Sequence, residues 1–197
     1  MLILFVTRFL LGTLLFLFSL YPRIRGMILR FRHYLLPVLG VIVFCVLIYL
    51  AREQFLYWQG NEFSKAFLPP LNPDGISYFL SFIFFKLFAG FILSLVGAYI
   101  FLFCALKLNE RYEQRFFYED ELYFGAAGAF LIGYPGLIYY LFLFFGAYLA
   151  LQVISMAYFR ESKRITPYYL WLPLSLLLIT LQYFFGSSFP YLSILVI

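Results

Sequence analysis

Long apolar runs separated by short basic clusters constrain this chain more than any other feature of its sequence. About 20 consecutive apolar residues are what an α-helix needs to cross the hydrocarbon core of a bilayer. Of the 197 residues, 65% are hydrophobic, and a water-soluble domain of this size could not bury so much apolar surface. The sequence therefore predicts an all-α, polytopic membrane helix bundle of about six spans, forming one domain over residues 1–197.

Turn residues and charges mark where the predicted spans end. The first run lacks a basic leading segment and a small-residue cleavage site, so we expect it to remain as a span. Lys86 interrupts the third run, which is too long for one span, so residues 76–85 are expected at the membrane interface. A Tyr134-Pro135-Gly136 turn divides the fourth span from the fifth. The six predicted spans are 1–20, 34–51, 87–107, 122–133, 137–159 and 167–184, and residues 186–197 are too short to cross again.

The basic residues predict the orientation of the bundle. The segments 22–33, 107–121 and 160–164 together hold ten Lys or Arg residues, whereas the segment 52–75 on the opposite side holds two. Positively charged loops face the cytoplasm. We therefore expect a multi-pass protein of a prokaryotic cytoplasmic (inner) membrane, with a charged cytoplasmic loop at 108–121, an external loop at 52–76, and both termini outside.

The composition also excludes several classes of function. No basic, aromatic-interleaved surface remains outside the spans, so the net charge of +5 does not indicate nucleic-acid binding. Cys45 and Cys104 lie inside apolar runs, where cysteine behaves as a small hydrophobic residue. The single histidine, His33, has no second metal-ligating residue nearby in sequence and is expected to be an interfacial polar residue. We predict no metal and no cofactor, and the lipid bilayer is the partner that the composition implies.

Three adjacent acids, Glu119, Asp120 and Glu121, open the fourth predicted span. Carboxylates at this position stabilise the positive end of the helix dipole, so an N-terminal cap is one interpretation. The other interpretation is that Asp120 belongs to a carboxylate pair at the membrane surface, where two neighbouring acids share one proton. Such a pair activates water in aspartyl proteases.

Small residues recur every four positions along the same predicted span. Gly125, Ala129 and Gly133 share one helical face, which allows a second helix to approach closely. Ala126 lies off this face and is expected to tolerate a larger side chain if it faces lipid.

The stretch from Asp120 to Gly133, Asp-Glu-Leu-Tyr-Phe-Gly-Ala-Ala-Gly-Ala-Phe-Leu-Ile-Gly, resembles a segment of the type IV prepilin leader peptidases. In that family of membrane aspartyl peptidases, a Gly-x-Gly-Asp motif precedes a helix ending in Gly-Ala-Phe-Leu-Gly. The Pro-Gly turn, the apolar span, the basic loop and Ile165-Thr166-Pro167-Tyr168-Tyr169-Leu170 are also similar to the family. The resemblance implies that Asp120 is catalytic and that the substrate is a pilin-like, single-span protein.

The chain departs from the family pattern at three points. The first cytoplasmic loop offers arginines but no acid, Phe117-Tyr118-Glu119 replaces the Gly-x-Gly, and Leu122 replaces a lysine. The only other aspartate, Asp74, is expected on the opposite side of the membrane. The sequence therefore predicts a degenerate site with two alternatives: either Glu119 or Glu121 substitutes for the missing acid, or the chain has no peptidase activity.

Two other functions remain open from the sequence. One is a non-catalytic scaffold that binds single-span helices through Gly125, Ala129 and Gly133. The other is a small transporter or lipid-processing enzyme, in which Arg8, Lys86 and Gln152 line a pathway, because polar groups inside a membrane are often functional. Arg8 is otherwise expected to snorkel or to face the bundle. The sequence leaves the oligomeric state open.

Overall fold

The computed structural model describes residues 2–69, 71–112, 117, 119–159 and 168–185, and these residues contain helices and no β-strand. The predicted all-α class is therefore confirmed. The α-helices are α1 (Leu2–Leu20), α2 (Pro22–Arg30), α3 (Arg32–Gly60), α4 (Glu62–Lys65), α5 (Gly75–Ile83), α6 (Ala89–Arg111), α7 (Glu119–Ile132), α8 (Gly136–Phe159) and α9 (Tyr168–Phe185).

Four helical stretches of the described residues are long and apolar enough to cross a bilayer. They are 2–20, 32–60, 75–111 and 136–157, and two shorter apolar helices cover 121–132 and 170–185. The predicted number of six spans is not confirmed. Helix α7 contains 14 residues, which is about 21 Å at 1.5 Å per residue, whereas the hydrocarbon core is about 30 Å thick.

Two segments expected to be loops are helical. Residues 22–30 form α2, because Arg, Met and Leu are good helix formers and Pro22 is tolerated in the first turn of a helix. Residues 52–60, expected to start the external loop, instead continue α3, which ends at Gly60. The side chain of Asn61 then caps α4 by accepting hydrogen bonds from the N–H groups of Phe63 and Ser64, at 3.0 and 3.3 Å.

The third predicted span is longer than expected and is not interrupted at Lys86. Helices α5 and α6 form one continuous helical stretch of 37 residues, joined by a π-helical turn at Phe84–Phe88. At Lys86, where the sequence predicted an interruption, the helix continues and widens locally. The Lys86 ammonium lies 5.0 Å from the centre of the Phe82 ring, one turn away, so the aromatic face accommodates the charge.

A small second core holds the far end of α3 against α5. It consists of Trp58, Leu68, Phe79 and Ile83, all of which are buried. The ring of Trp58 meets that of Phe79 edge to face, with centroids 5.1 Å apart. This contact explains why Trp58 belongs to a helix rather than to a loop: its ring is buried by packing along the extended pair of helices.

The main core is built around α7. Every residue from Glu121 to Gly133 is buried, and α7 contacts α1, α3, α6, α8 and α9, most extensively α6 and α9. A helix that is apolar all round is expected to be enclosed by protein or by lipid, and here the neighbours are other helices of the same chain. The N-terminus of α7 lies at the end of the bundle that also carries α2, the start of α3 and the end of α6. We call this the basic end.

Candidate functional site at the N-terminus of α7

Small residues allow the neighbours of α7 to pack directly against its backbone. A Cβ atom added at Gly125 would lie 2.9 to 3.0 Å from ring atoms of Trp171, which is closer than real Cβ contacts. A Cβ atom at Gly128 would lie 2.8 Å from the hydroxyl oxygen of Tyr140. Glycine is therefore required at both positions for α8 and α9 to approach α7 as they do.

An aromatic cluster around Trp171 forms the wall next to the N-terminal half of α7. The indole stacks on Phe144, with ring centroids 3.3 Å apart and planes at 13°, and Phe117 lies 5.8 Å away. The Tyr140 hydroxyl donates to the Trp171 carbonyl at 3.0 Å. Because Trp171, Tyr140 and Phe144 are all fully buried, this wall is closely packed.

Of the three acids at the start of α7, the structure describes the side chain of Glu121 alone. Only the backbone of Glu119 and Asp120 is described, so the predicted roles of these two side chains lie outside the described part. Glu121 is 1% exposed, and its Oε1 atom is buried. The sequence predicted that Glu121 belongs to the charged cytoplasmic loop at 108–121, but its side chain is enclosed by the bundle.

Two further residues of the same predicted loop are also buried. The Asn109 side chain is 3% exposed and that of Phe117 is 8% exposed. The Asn109 amide donates to the Phe117 carbonyl at 2.8 Å, and its Oδ1 accepts from the Phe117 N–H at 3.1 Å. The buried backbone of Phe117 thereby has both of its polar groups satisfied, which fixes the chain just before the acidic residues.

On the other side of α7, Tyr123 connects the site to the start of α3. Its hydroxyl lies 3.2 Å from Nδ1 of His33, and the two rings meet edge to face. The Arg32 guanidinium lies 5.4 Å from the centre of the Tyr123 ring. His33 is exposed, and it also contacts the helix that carries the acids.

A half-buried arginine contacts the C-terminus of α7. Arg8 from α1 donates through Nη1 to the Ile132 carbonyl at 3.4 Å, a long hydrogen bond. Gly133 follows with a φ angle of +88°, and a Cβ atom there would lie 2.9 Å from Nη1 of Arg8. A cation next to the exposed carbonyls of a helix C-terminus is stabilising. Of the two sequence expectations for Arg8, the structure shows that it faces the bundle.

The turn after α7 has the predicted Tyr134-Pro135-Gly136 sequence, with a cis peptide bond before Pro135. The Tyr134 N–H donates to the hydroxyl of Ser94 at 2.6 Å, which ties the turn to α6. Gly136 leaves space for the Gln182 amide of α9. Three helices therefore supply polar side chains at this end of α7.

The small-residue face of α7 is already occupied by helices of the same chain. Gly125 lies against α9, Gly133 lies against Arg8 of α1, and Ala129 is 0% exposed. Ala126 is also 0% exposed, so it does not face lipid. A scaffold that binds an external helix through this face would have to displace α1 or α9.

Arg8, Lys86 and Gln152, the polar residues that the sequence suggested for a pathway, do not lie together. Gln152 lies sixteen residues into α8 from the turn near Arg8, which is about 24 Å along the helix axis. Lys86 is exposed on the surface of the bundle. Asp74 precedes the start of the 37-residue helical stretch and is therefore at the opposite end from Arg111 and the acidic residues.

The described residues offer no cluster of metal-ligating side chains, and Cys45 and Cys104 are exposed free cysteines. Comparisons with protein-family models, with curated proteins and with solved structures found no match. The function is therefore inferred from the residues and their geometry.

Proposed function

We propose that this chain is a divergent membrane endopeptidase of the prepilin-leader-peptidase type, acting at the N-terminus of α7 on the leader peptides of pilin-like, single-span proteins. It belongs, on this proposal, to a prokaryotic cytoplasmic membrane, with the basic end facing the cytoplasm. The acidic residues Asp120 and Glu121 are the proposed catalytic pair, and Glu119 is the alternative second acid.

The observation that carries the proposal is the burial of Glu121 in the first turn of the central helix. An ionisable carboxyl group is rarely enclosed in a bundle without a structural or chemical role, because burial of its charged form is unfavourable. At this position it lies next in sequence to Asp120, the residue that the resemblance marks as catalytic. The burial of Glu121 beside Asp120 supports the proposal that acid chemistry takes place at the N-terminus of α7.

The proposed reaction needs two carboxyl groups with different roles. One, as carboxylate, accepts a proton from the attacking water, and the other, as neutral acid, donates a proton to the peptide substrate. Adjacent residues on a helix point about 100° apart, so the longer glutamate side chain has to fold back towards Asp120 for both to hold one water. The Asn109–Phe117 contact supports the proposal because it anchors the chain immediately before this turn.

Co-expression of the full-length chain with pilin-like proteins tests whether it cleaves their leader peptides. A pilin-like protein with its basic leader should be shortened at the boundary between leader and span, as measured by mass spectrometry of the purified product. The same protein with its leader removed serves as the control and should be unchanged. Recovery of intact leader from every pilin-like protein in the presence of folded enzyme would contradict the proposal.

A further inference from the structure

Helix α2 presents an exposed face that combines positive charge with apolar surface. Arg23, Gly26, Met27 and Arg30 occupy positions i, i+3, i+4 and i+7, so they share one side of the helix. All four are exposed, and Met27 is 61% exposed. On the other side of α2, Ile28 packs against the main core. The helix is therefore fixed to the bundle by its apolar side, and the mixed basic face is turned outward.

Among the described residues, no ion-pair partner is found for the two exposed arginines of this face. No described carboxylate forms an ion pair with Arg23 or Arg30, and the sequence contains no acidic residue before Glu53. Glu53 lies near the far part of α3, twenty-one residues beyond Arg32, or about 31 Å along the helix. Helices α1 to α3 thus supply no neutralising charge at the basic end.

Exposed aromatic residues lie close to both ends of α2 along the chain. Tyr21, Phe31 and Tyr34 flank α2 and are 61%, 55% and 66% exposed. Aromatic side chains of this kind concentrate at the headgroup level of membranes. Apolar surface beside the arginines suits acyl chains and the glycerol region, whereas a soluble anion would contact only the guanidinium groups.

We propose that the exposed face of α2 is a binding surface for anionic phospholipid, with Arg23 and Arg30 contacting the headgroup phosphates and Met27 contacting the acyl chains. Arginine is suited to this role because its planar guanidinium binds phosphate through two parallel hydrogen bonds. The proposal uses no residue of the acidic first turn of α7 and does not depend on peptidase activity.

The test titrates the full-length chain in detergent with phosphatidylglycerol and, separately, with phosphatidylcholine of the same acyl chains, measuring bound lipid by native mass spectrometry. Phosphatidylglycerol should bind more tightly, and added salt should weaken it. In the double variant Arg23→Gln/Arg30→Gln its affinity should fall roughly 30-fold, because two basic residues near an anionic surface each contribute about five- to sixfold. Phosphatidylcholine, whose phosphate is neutralised by its own choline group, should lose much less affinity.

Three further variants make the outcome decisive. Arg52→Gln removes an exposed arginine from the far part of α3 and should leave the preference for phosphatidylglycerol intact. Arg23→Lys/Arg30→Lys keeps the charge and should remain within about threefold of the original affinity, which separates charge from loss of fold. Met27→Ser should weaken both lipids. An unchanged preference in the double Gln variant, an equal loss in Arg52→Gln, or displacement of phosphatidylglycerol by a polyglutamate peptide at equal concentration would overturn the proposal.

Discussion

The Asn109 side chain is hydrogen-bonded through both of its amide atoms to the backbone of Phe117, eight residues further along the chain. This pair closes the connection between α6 and α7 from inside the bundle. These two hydrogen bonds fix the chain just before the first turn of α7, which carries Glu119, Asp120 and Glu121 and is called the acidic turn.

We predict that Asn109→Ala lowers the free energy of unfolding by about 2 to 4 kcal/mol, because it leaves a buried N–H and a buried carbonyl of Phe117 without partners. Thermal unfolding in detergent measures the change. Asn109→Asp keeps an acceptor for the Phe117 N–H but loses the donor to the carbonyl, so it should also destabilise. Asn61→Ala, which removes the cap of the exposed four-residue helix α4, is the control and should cost less than about 1 kcal/mol. Equal losses for Asn109→Ala and Asn61→Ala would show that the contact is not important.

Gly125 provides a second test, of the packing between α7 and α9. Gly125→Ala should lower the free energy of unfolding by about 1 to 3 kcal/mol, because the new Cβ atom would lie against the ring of the fully buried Trp171. Gly146→Ala in α8 is the matched control, since nothing lies within 4 Å of its Cβ position. That change should be neutral or slightly stabilising, as alanine favours helix more than glycine does. If Gly125→Ala is as stable as Gly146→Ala, the described approach of α9 to α7 is incorrect.

Arg8 tests the other end of α7. Arg8→Met keeps most of the side-chain volume but removes the cation next to the Ile132 carbonyl, and we expect a loss of about 1 to 2 kcal/mol. Lys86→Met removes an exposed cation from the π-helical turn and should change stability by less than about 0.5 kcal/mol. Both are compared by thermal unfolding in the same detergent. A larger effect for Lys86→Met than for Arg8→Met would contradict the assigned role of Arg8.

The orientation of the bundle is tested by labelling single cysteines in intact cells. The background is Cys45→Ala/Cys104→Ala, because both native cysteines are exposed. Positions Arg25→Cys and Ser162→Cys should react only after the membrane is permeabilised, and Asn61→Cys should react with an impermeant reagent from outside. Protection of Asn61→Cys in intact cells, with labelling of Arg25→Cys there, would reverse the proposed topology.

Hydropathy predicted much of the architecture, because α1, α8 and α9 begin and end close to where charges and turn residues change the sequence pattern. It failed at α3 because Trp58 and Gln59 resemble interface residues, whereas Trp58 is buried against Phe79 of α5. Hydropathy also predicted an interruption at Lys86, whereas the helix continues through this residue. A single lysine next to an aromatic ring does not interrupt a helix.

The position of α7 shows a second limit of the sequence. A helix enclosed by other helices has the same apolar composition as one that faces lipid, so Ala126 could not be assigned to either environment. The small residues of α7 indicated that a neighbour approaches closely, but they did not identify it as Trp171. The burial of Glu121 and the Asn109–Phe117 pair depend on contacts between distant parts of the chain, and neither leaves a local pattern.

The central claim is that the acidic turn of α7 cleaves leader peptides, and the most direct measurement is the cleavage rate of a co-expressed pilin-like protein by four forms of the chain. The unchanged chain and Asp74→Asn, whose substitution lies at the opposite end of the bundle, should cleave at the same rate. Asp120→Asn and Glu121→Gln should abolish cleavage while thermal unfolding in detergent shows a folded protein, because each removes a proton-transferring group. Undiminished cleavage by both Asp120→Asn and Glu121→Gln would contradict the account.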